Sequence, residues 1–334
     1  MIWKNPLWLK IFSYSTNCSV RNYAKSYTSR ADLKQLRPLI LKRIEGRANF
    51  YPIKSFVPVA QEVLDARARL IQGVAVLIQF FPVLTCKFCS EVFIGETGHL
   101  IQTCKSYRRK SKSRVHEWVA GSLRDIIVPV ETFHLNSMFQ EVIKHQERFD
   151  FDRIPAIVEL CCQAGANLDD YWSSNSVDSD PTPSNLEPAK PLCGQEMKRI
   201  ANDTLKAWET VRWGVGKLLM VYPVKVCCNC NEVHVGPSGH KARVCGLFKN
   251  ETWNGFHFWK KAVVDDLVPL QIVWRRRCQD PVVLVNEGKG YYGHAPAIVD
   301  LCLKAGALMP KMYTTMMKEY GLAAPTEVEA QTVV

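Results

Sequence analysis

The sequence predicts an α+β protein, mainly helical, built from two tandem repeats that each carry a small knuckle-like Cys/Cys/His/Cys loop between helices. Three observations predict it. The chain matches itself at a fixed offset, apolar residues recur at helical spacing ahead of each loop, and both loops hold cysteines and a histidine in identical register.

An offset of 141 residues superimposes Cys86, Cys89, His99 and Cys104 on Cys227, Cys230, His240 and Cys245. Across the 19 positions from Cys86 to Cys104, 8 are identical, where unrelated segments would share about one. The match runs upstream through Leu64/Leu205, Ala66/Ala207, Gly73/Gly214 and Pro82/Pro223, and downstream through His116/His257 and Trp118/Trp259. After a small gap and a compensating insertion it resumes as PAIVELCCQAGA against PAIVDLCLKAGA, 9 identities in 12 positions. Duplication explains this and chance does not.

Each repeat opens on a helix, since Val59, Val63, Leu64, Leu70, Ile71 and Val74 fall on one helical face before Pro82, as do Leu205, Trp208, Val211, Val215 and Leu219 before Pro223. The loop follows, then a helix, an irregular stretch and a closing helix. That last helix starts at Pro155 or Pro296, where proline suits the first turn, and stops at Gly165 or Gly306, natural C-caps.

The loop chemistry is that of a metal. Two thiolates with two residues between them grip one ion from a tight turn, and a histidine and a cysteine with four residues between them close the tetrahedron. Gly95, Gly98, Gly236 and Gly239 lie where the chain folds back. Three thiolates and an imidazole select zinc over magnesium or calcium, and four protein ligands leave no place for a catalytic water. The expectation is a pair of zinc-knuckle-like sites with two structural zinc ions per chain, held by Cys86, Cys89, His99 and Cys104 and by Cys227, Cys230, His240 and Cys245. The H-x4-C spacing favours His99 and His240, yet His116 and His257 also repeat and stand as alternative ligands. Cys228 is a further candidate in the second copy only. Cys18, Cys161, Cys162, Cys193, Cys278 and Cys302 read as core or incidental thiols.

The first 30 residues carry five basic residues, many hydroxyls and no acid, and begin with Ile2, Trp3, Leu7, Trp8, Ile11 and Phe12. This is the composition of a transit peptide, and the amphipathic start suits a mitochondrial presequence better than a chloroplast one. The whole chain has a formal charge of +11; without those five cations it falls to about +6, so polyanion binding has to be argued from local clusters. One such cluster follows the first loop. Lys105, Arg108, Arg109, Lys110, Lys112 and Arg114 surround Tyr107 with no acid among them, and Arg275, Arg276 and Arg277 form a later run in the second repeat. Mobile cations suit backbone phosphates, and nearby aromatics suit bases. Residues 173–191 are rich in Ser, Asn, Asp and Pro, which predicts a flexible linker between modules that move independently. No apolar run is long enough for a membrane span.

No phosphate-binding loop, nucleophile elbow or H-E-x-x-H helix is present, so the chain reads as a non-enzyme. A nuclease using His116 or His134 as base is the weaker reading, because Val273 or Trp274 falls at the place of His134 in the second copy.

The loops CKFCSEVFIGETGHLIQTC and CCNCNEVHVGPSGHKARVC, each followed by H-x-W and then P-A-I-V-[ED]-L-C, resemble the plant APO family, named for accumulation of photosystem one, and look most like its mitochondrial member. The resemblance implies an APO domain over 55–172 with its zinc motif at 86–104, a second over 196–312 with its motif at 227–245, and a C-terminal tail over 313–334. It also implies binding to organellar RNA, promotion of splicing or maturation of group II intron-containing transcripts, and contact with other splicing factors. The alternative from another class is a zinc-stabilised adaptor that binds proteins within an RNA-processing complex.

Overall fold

The computed structural model describes residues 36, 38–39, 42–43, 46–104, 114–140, 142–169, 192–245 and 255–318. The presequence-like residues 1–30, the linker 173–191, the basic positions 105–113 and the tail beyond residue 318 lie outside these.

The first repeat enters helix α1 (Val57–Leu77), with Pro58 in its first turn, and leaves it before Pro82. A hairpin follows, β1 (Val83–Cys86) and β2 (Val92–Ile94), joined by β3 (Trp118–Ala120) on the other edge of β1 to give the order β2-β1-β3. The register sets Leu84 against Phe93 and Cys86 against Trp118. One helical turn, α2 (Leu123–Ile126), leads to a second hairpin, β4 (Glu131–Phe133) with β5 (Arg153–Pro155), and then to α3 (Ala156–Gln163).

The second repeat copies this order: α4 (Gly194–Val221), β6 (Val224–Cys227), β7 (Val233–Val235), β8 (Trp259–Lys261), α5 (Val264–Leu267), β9 (Ile272–Arg275), β10 (Gly293–Pro296) and α6 (Ala297–Lys304). A final turn, α7 (Thr314–Met317), buries Tyr313 and Met317, and the Trp208 indole donates to the Tyr313 hydroxyl at 3.3 Å. Tyr313 and Met317, expected in the tail, therefore belong to the core. The mixed helix and strand character stands. The helix expected directly after each loop is instead a strand and a single turn.

The two repeats do not form separate modules. Helices α1 and α4 cross where Gly73 faces Thr204 and Gly214 faces Val63; a methyl group at either glycine would collide with that neighbour. Because Val63 and Thr204 are themselves equivalent, the crossing is a pseudo-twofold. One cluster of buried residues runs from Ala60 and Leu77 through Leu160 to Trp208, Leu218, Ile298 and Met317. The second hairpin of each repeat, moreover, packs on the loop of the other. Leu100 N–H donates to Leu284 C=O at 2.8 Å, and its equivalent Lys241 N–H donates to Ile143 C=O at 2.8 Å. The Lys304 ammonium donates to Ile94 C=O at 2.6 Å, and Thr132 Oγ1 donates to Val233 C=O at 2.9 Å. The expectation of independently moving modules is thus corrected. Neither repeat covers its own apolar faces, and each completes the other.

Candidate metal centre

The β1–β2 turn presents Cys86 and Cys89, Cys104 returns on the loop beyond β2, and His116 arrives just before β3. Donor atoms of Cys86, Cys89, Cys104 and His116 all lie within 4.8 Å of one another, as do those of Cys227, Cys230, Cys245 and His257. In the first cluster Cys86 Sγ is 3.9 Å from Cys104 Sγ, and Cys89 Sγ is 3.4 Å from His116 Nδ1. In the second the matching distances are 4.0 Å and 3.3 Å. A tetrahedral zinc with ordinary Zn–S and Zn–N bonds would set such pairs about 3.5–3.8 Å apart. The donor sets fit one ion each.

This corrects the histidine assignment. His99 and His240 stay outside both clusters. Strand β3 pairs with β1 so that Trp118 lies opposite Cys86, with Lys87 N–H donating to Glu117 C=O at 2.9 Å, and this carries His116 up to the cysteine turn. His99 is instead packed beneath that tryptophan: the Trp118 indole donates to His99 C=O at 3.2 Å, with the rings 4.9 Å apart. Trp259 and His240 repeat this, at 3.2 Å and 4.8 Å. The small residues Gly98 and Gly239 let those indoles lie flat on the loop, since a Cβ at either position would enter the ring.

Hydrogen bonds orient His116 for its task. Thr103 Oγ1 lies 2.9 Å from His116 Nε2, and Glu91 Oε2 lies 3.3 Å from it, which leaves Nδ1 for the cluster. Glu91 also lies 3.0 Å from His99 Nε2 and accepts from the Trp274 indole of the other repeat at 2.9 Å. Burial opposes its ionisation, but His99, His116 and Thr103 hold its carboxyl below the usual range. In the second centre Val244 stands in the place of Thr103, and the buried His257 Nε2 has no hydrogen-bond partner. There Glu232 is held by Arg153 at 2.6 Å; burial opposes its charge, but His240 and Arg153 bring its carboxyl down to about 2.

The thiols carry the electrostatic signature of a cation site. Burial raises Cys86, but the Phe88 amide, His116 and Cys89 outweigh it and bring the thiol to about 6. Cys89 is pushed up to about 12 by burial and by the neighbouring sulfurs of Cys86 and Cys104. Cys227 likewise falls to about 6 against its burial, through His257 and the amides of Asn229 and Cys230. Three thiols packed together cannot all ionise unless a positive ion shares the space. Cys228, the extra candidate of the second copy, is half-buried outside the cluster, and Cys161 and Cys302 are core residues.

The expected RNA contacts divide. Lys105, Arg108, Arg109, Lys110 and Lys112 lie outside the described residues. Arg114 is exposed and forms a backbone bridge to Cys104. Of the later run, Arg276 is exposed, whereas Arg275 is half-buried with its Nε 3.8 Å from Asp300. Arg277 is withdrawn as an RNA contact. It is buried, donates to both Asp280 oxygens at 3.0 and 2.8 Å, and donates further to the carbonyls of Lys318 and Tyr291. A different surface lies beside the second centre. Phe256 and Phe258 flank His257 and are exposed, the Arg243 guanidinium lies 4.6 Å over the Phe256 ring, and Lys241, Lys260 and Lys261 are exposed on neighbouring segments. His134, the residue considered as a base, has Arg275 as its spatial counterpart, one or two residues beyond the position the sequence suggested.

Comparison with known proteins agrees with this duplicated architecture. The family profile described as APO RNA-binding matches residues 24–182 and again 179–319. APO protein 2, chloroplastic, of Arabidopsis thaliana is 38% identical over 314 residues, covering 84% of this chain and 71% of that protein. APO protein 1, chloroplastic, from the same plant is 34% identical over 338 residues, with coverages of 91% and 77%. APO protein 3, mitochondrial, is 33% identical over 314 residues, with 85% and 78%. No solved structure matches. With both repeats matched and relatives aligned along most of their length, the chain belongs to the APO RNA-binding family.

Proposed function

We propose that this protein is an organellar RNA-binding accessory factor, promoting splicing or maturation of group II intron-containing transcripts, and that two zinc ions hold its fold without taking part in chemistry. Family membership supports the RNA partner. The single observation that carries the site is the Arg243–Phe256 stack beside Phe258, Lys260 and Lys261, all borne on segments that a metal at Cys227, Cys230, Cys245 and His257 would fix. Flat rings stack on bases and the cations around them meet phosphates, the pairing used to hold single strands. Each centre has four protein donors, so an ion there keeps no open position, which supports a structural role and a chain that is not an enzyme. No described helix is long and apolar enough to cross a membrane. The acid-poor, amphipathic composition of residues 1–30 supports import into mitochondria, and relatives named for both organelles are compatible with that address.

The test is binding of the full chain to a structured group II intron RNA and to an unrelated single strand at several salt concentrations. Replacing Arg108, Arg109, Lys110 and Lys112 by Ala is expected to weaken binding by about 10 to 1,000-fold and to lower the slope of log affinity against log salt by about 2 to 3. Arg243→Ala with Phe256→Ala should weaken it with a smaller change of slope, because stacking is lost along with one charge. Weak wild-type binding that neither variant alters would replace this reading by the protein adaptor. Metal-dependent cleavage of the RNA would make the chain a nuclease.

A further inference from the structure

The first repeat holds a group of side chains that the second has exchanged. Glu159, on α3, is fully buried. Its Oε1 accepts from Leu135 N–H at 3.2 Å and from Gln163 Nε2 at 2.8 Å, and its Oε2 lies 2.7 Å from His134 Nδ1. Cys162 follows one helical turn later on the same face. One donor atom from each of His134, Glu159 and Cys162 lies within 4.8 Å of the others.

The second repeat shows what a buried carboxylate at this place requires. Asp300 occupies the position of Glu159 and is equally buried. Lys304 Nζ lies 2.6 Å from one of its oxygens and Arg275 Nε 3.8 Å from the other. Those two permanent cations stand where the first repeat has Gln163 and His134, and Leu303 stands where it has Cys162. The exchange therefore replaces two fixed positive charges by an amide and an imidazole, and replaces an apolar side chain by a thiol. Burying a carboxylate without a matching cation is strongly unfavourable. A cation that is not part of the chain would restore the balance, and all three exchanged positions that face Glu159 or its helix face now offer neutral or ligating atoms.

We propose that His134, Glu159 and Cys162 form a third metal site, for zinc or a similar transition ion, with a coordination position open to solvent. An imidazole, a carboxylate and a thiolate together favour zinc over magnesium or calcium. The ion takes the place of the proton between His134 Nδ1 and Glu159 Oε2, and Cys162 releases its own proton to solvent as the thiolate binds. His134 keeps 27% of its side chain exposed, so water reaches the ion and three protein ligands leave it room to bind. The site shares no ligand with the two Cys3His centres.

The experiment is titration of the purified full chain with zinc and with cobalt(II), read by elemental analysis and by thiolate-to-cobalt absorption. Two variants accompany it. Cys162→Ala removes one ligand, and the triple change His134→Arg, Cys162→Leu and Gln163→Lys installs the arrangement that the second repeat already folds with. The wild type is expected to take up three ions per chain and each variant two, with the cobalt spectrum of Cys162→Ala losing the contribution of one thiolate. His116→Ala, which leaves His134, Glu159 and Cys162 in place, serves as a control that lowers the count through a different centre, so failure of the Cys3His reading is visible separately. A wild type that saturates at two ions, or a third ion retained by both variants, overturns the proposal.

Discussion

At the residue scale the contrast between His116 and His99 shows how a ligand is chosen by hydrogen bonding as much as by spacing. Both are buried, both neighbour Glu91, and both repeat in the second copy. Only His116 directs a nitrogen at the cysteines, because Thr103 and Glu91 engage the other one. Replacing His116 or His257 by Ala is therefore expected to remove one zinc ion per chain, while His99→Gln keeps both Cys3His ions; elemental analysis of the purified variants distinguishes them. The centres should also differ in grip. His257 lacks the partner that Thr103 provides, and lost outer hydrogen bonds typically cost about 10–100-fold in metal affinity. In a chelator titration the second centre should release its ion first. Thr103→Val should bring the first centre into line with it, and an unchanged order of release would show that the threonine contact is energetically idle.

At the scale of elements, what was legible in the sequence is what obeys a short period. Helices α1 and α4 show as apolar stripes ending before Pro82 and Pro223, and the closing helices show through their prolines and the glycines Gly165 and Gly306, which take φ of 86° and 89° as C-caps. The strands were not legible. They are three or four residues long, and β2 and β7 are buried on both faces, so no alternation marks them. His116 was legible only as an option, because its contact with Cys89 is made by strand pairing and not by a local spacing. Periodicity also says which face of a helix is buried without saying what covers it, so the partner of α1 could not be read. The crossing offers a direct test. Gly73→Val and Gly214→Val each force a side chain into the opposite helix, and overpacking of this kind costs about 1–3 kcal/mol. The midpoint of denaturant unfolding should fall in both variants, and by more than for an alanine substitution at exposed Met220 on α4.

At the scale of the whole molecule, exchange of hairpins between the repeats ties each metal centre to the other half of the chain. Phe93 and Ile101 of the first loop are buried with Trp274, Leu284 and Tyr292 of the second repeat, and Phe133 of the first repeat lies against His240, with ring centroids 5.0 Å apart. A defect in one centre must then propagate. Replacing Cys86 and Cys89 by Ser is expected to remove one ion, and structural zinc in finger peptides contributes on the order of 10–16 kcal/mol of apparent binding energy, comparable with or larger than the net stability of a domain. Independent modules would lose the first repeat and keep the second folded around its own ion. The shared core demands the opposite: α4 loses the partner that meets it at Gly73, β9 and β10 lose the loop they cover, and protection is lost from Trp208 to Ile298 as well as from Val63 to Leu160. Hydrogen exchange read by mass spectrometry on the Cys86→Ser, Cys89→Ser chain is expected to show deprotection in both repeats, with a single unfolding transition in place of two. Fragments 1–172 and 192–334 made separately should be poorly folded and should recover near-native helix content when mixed in the presence of zinc. Native protection retained in the second repeat of the double variant, or a second fragment that folds alone, would separate the halves and restore the picture of two independent modules.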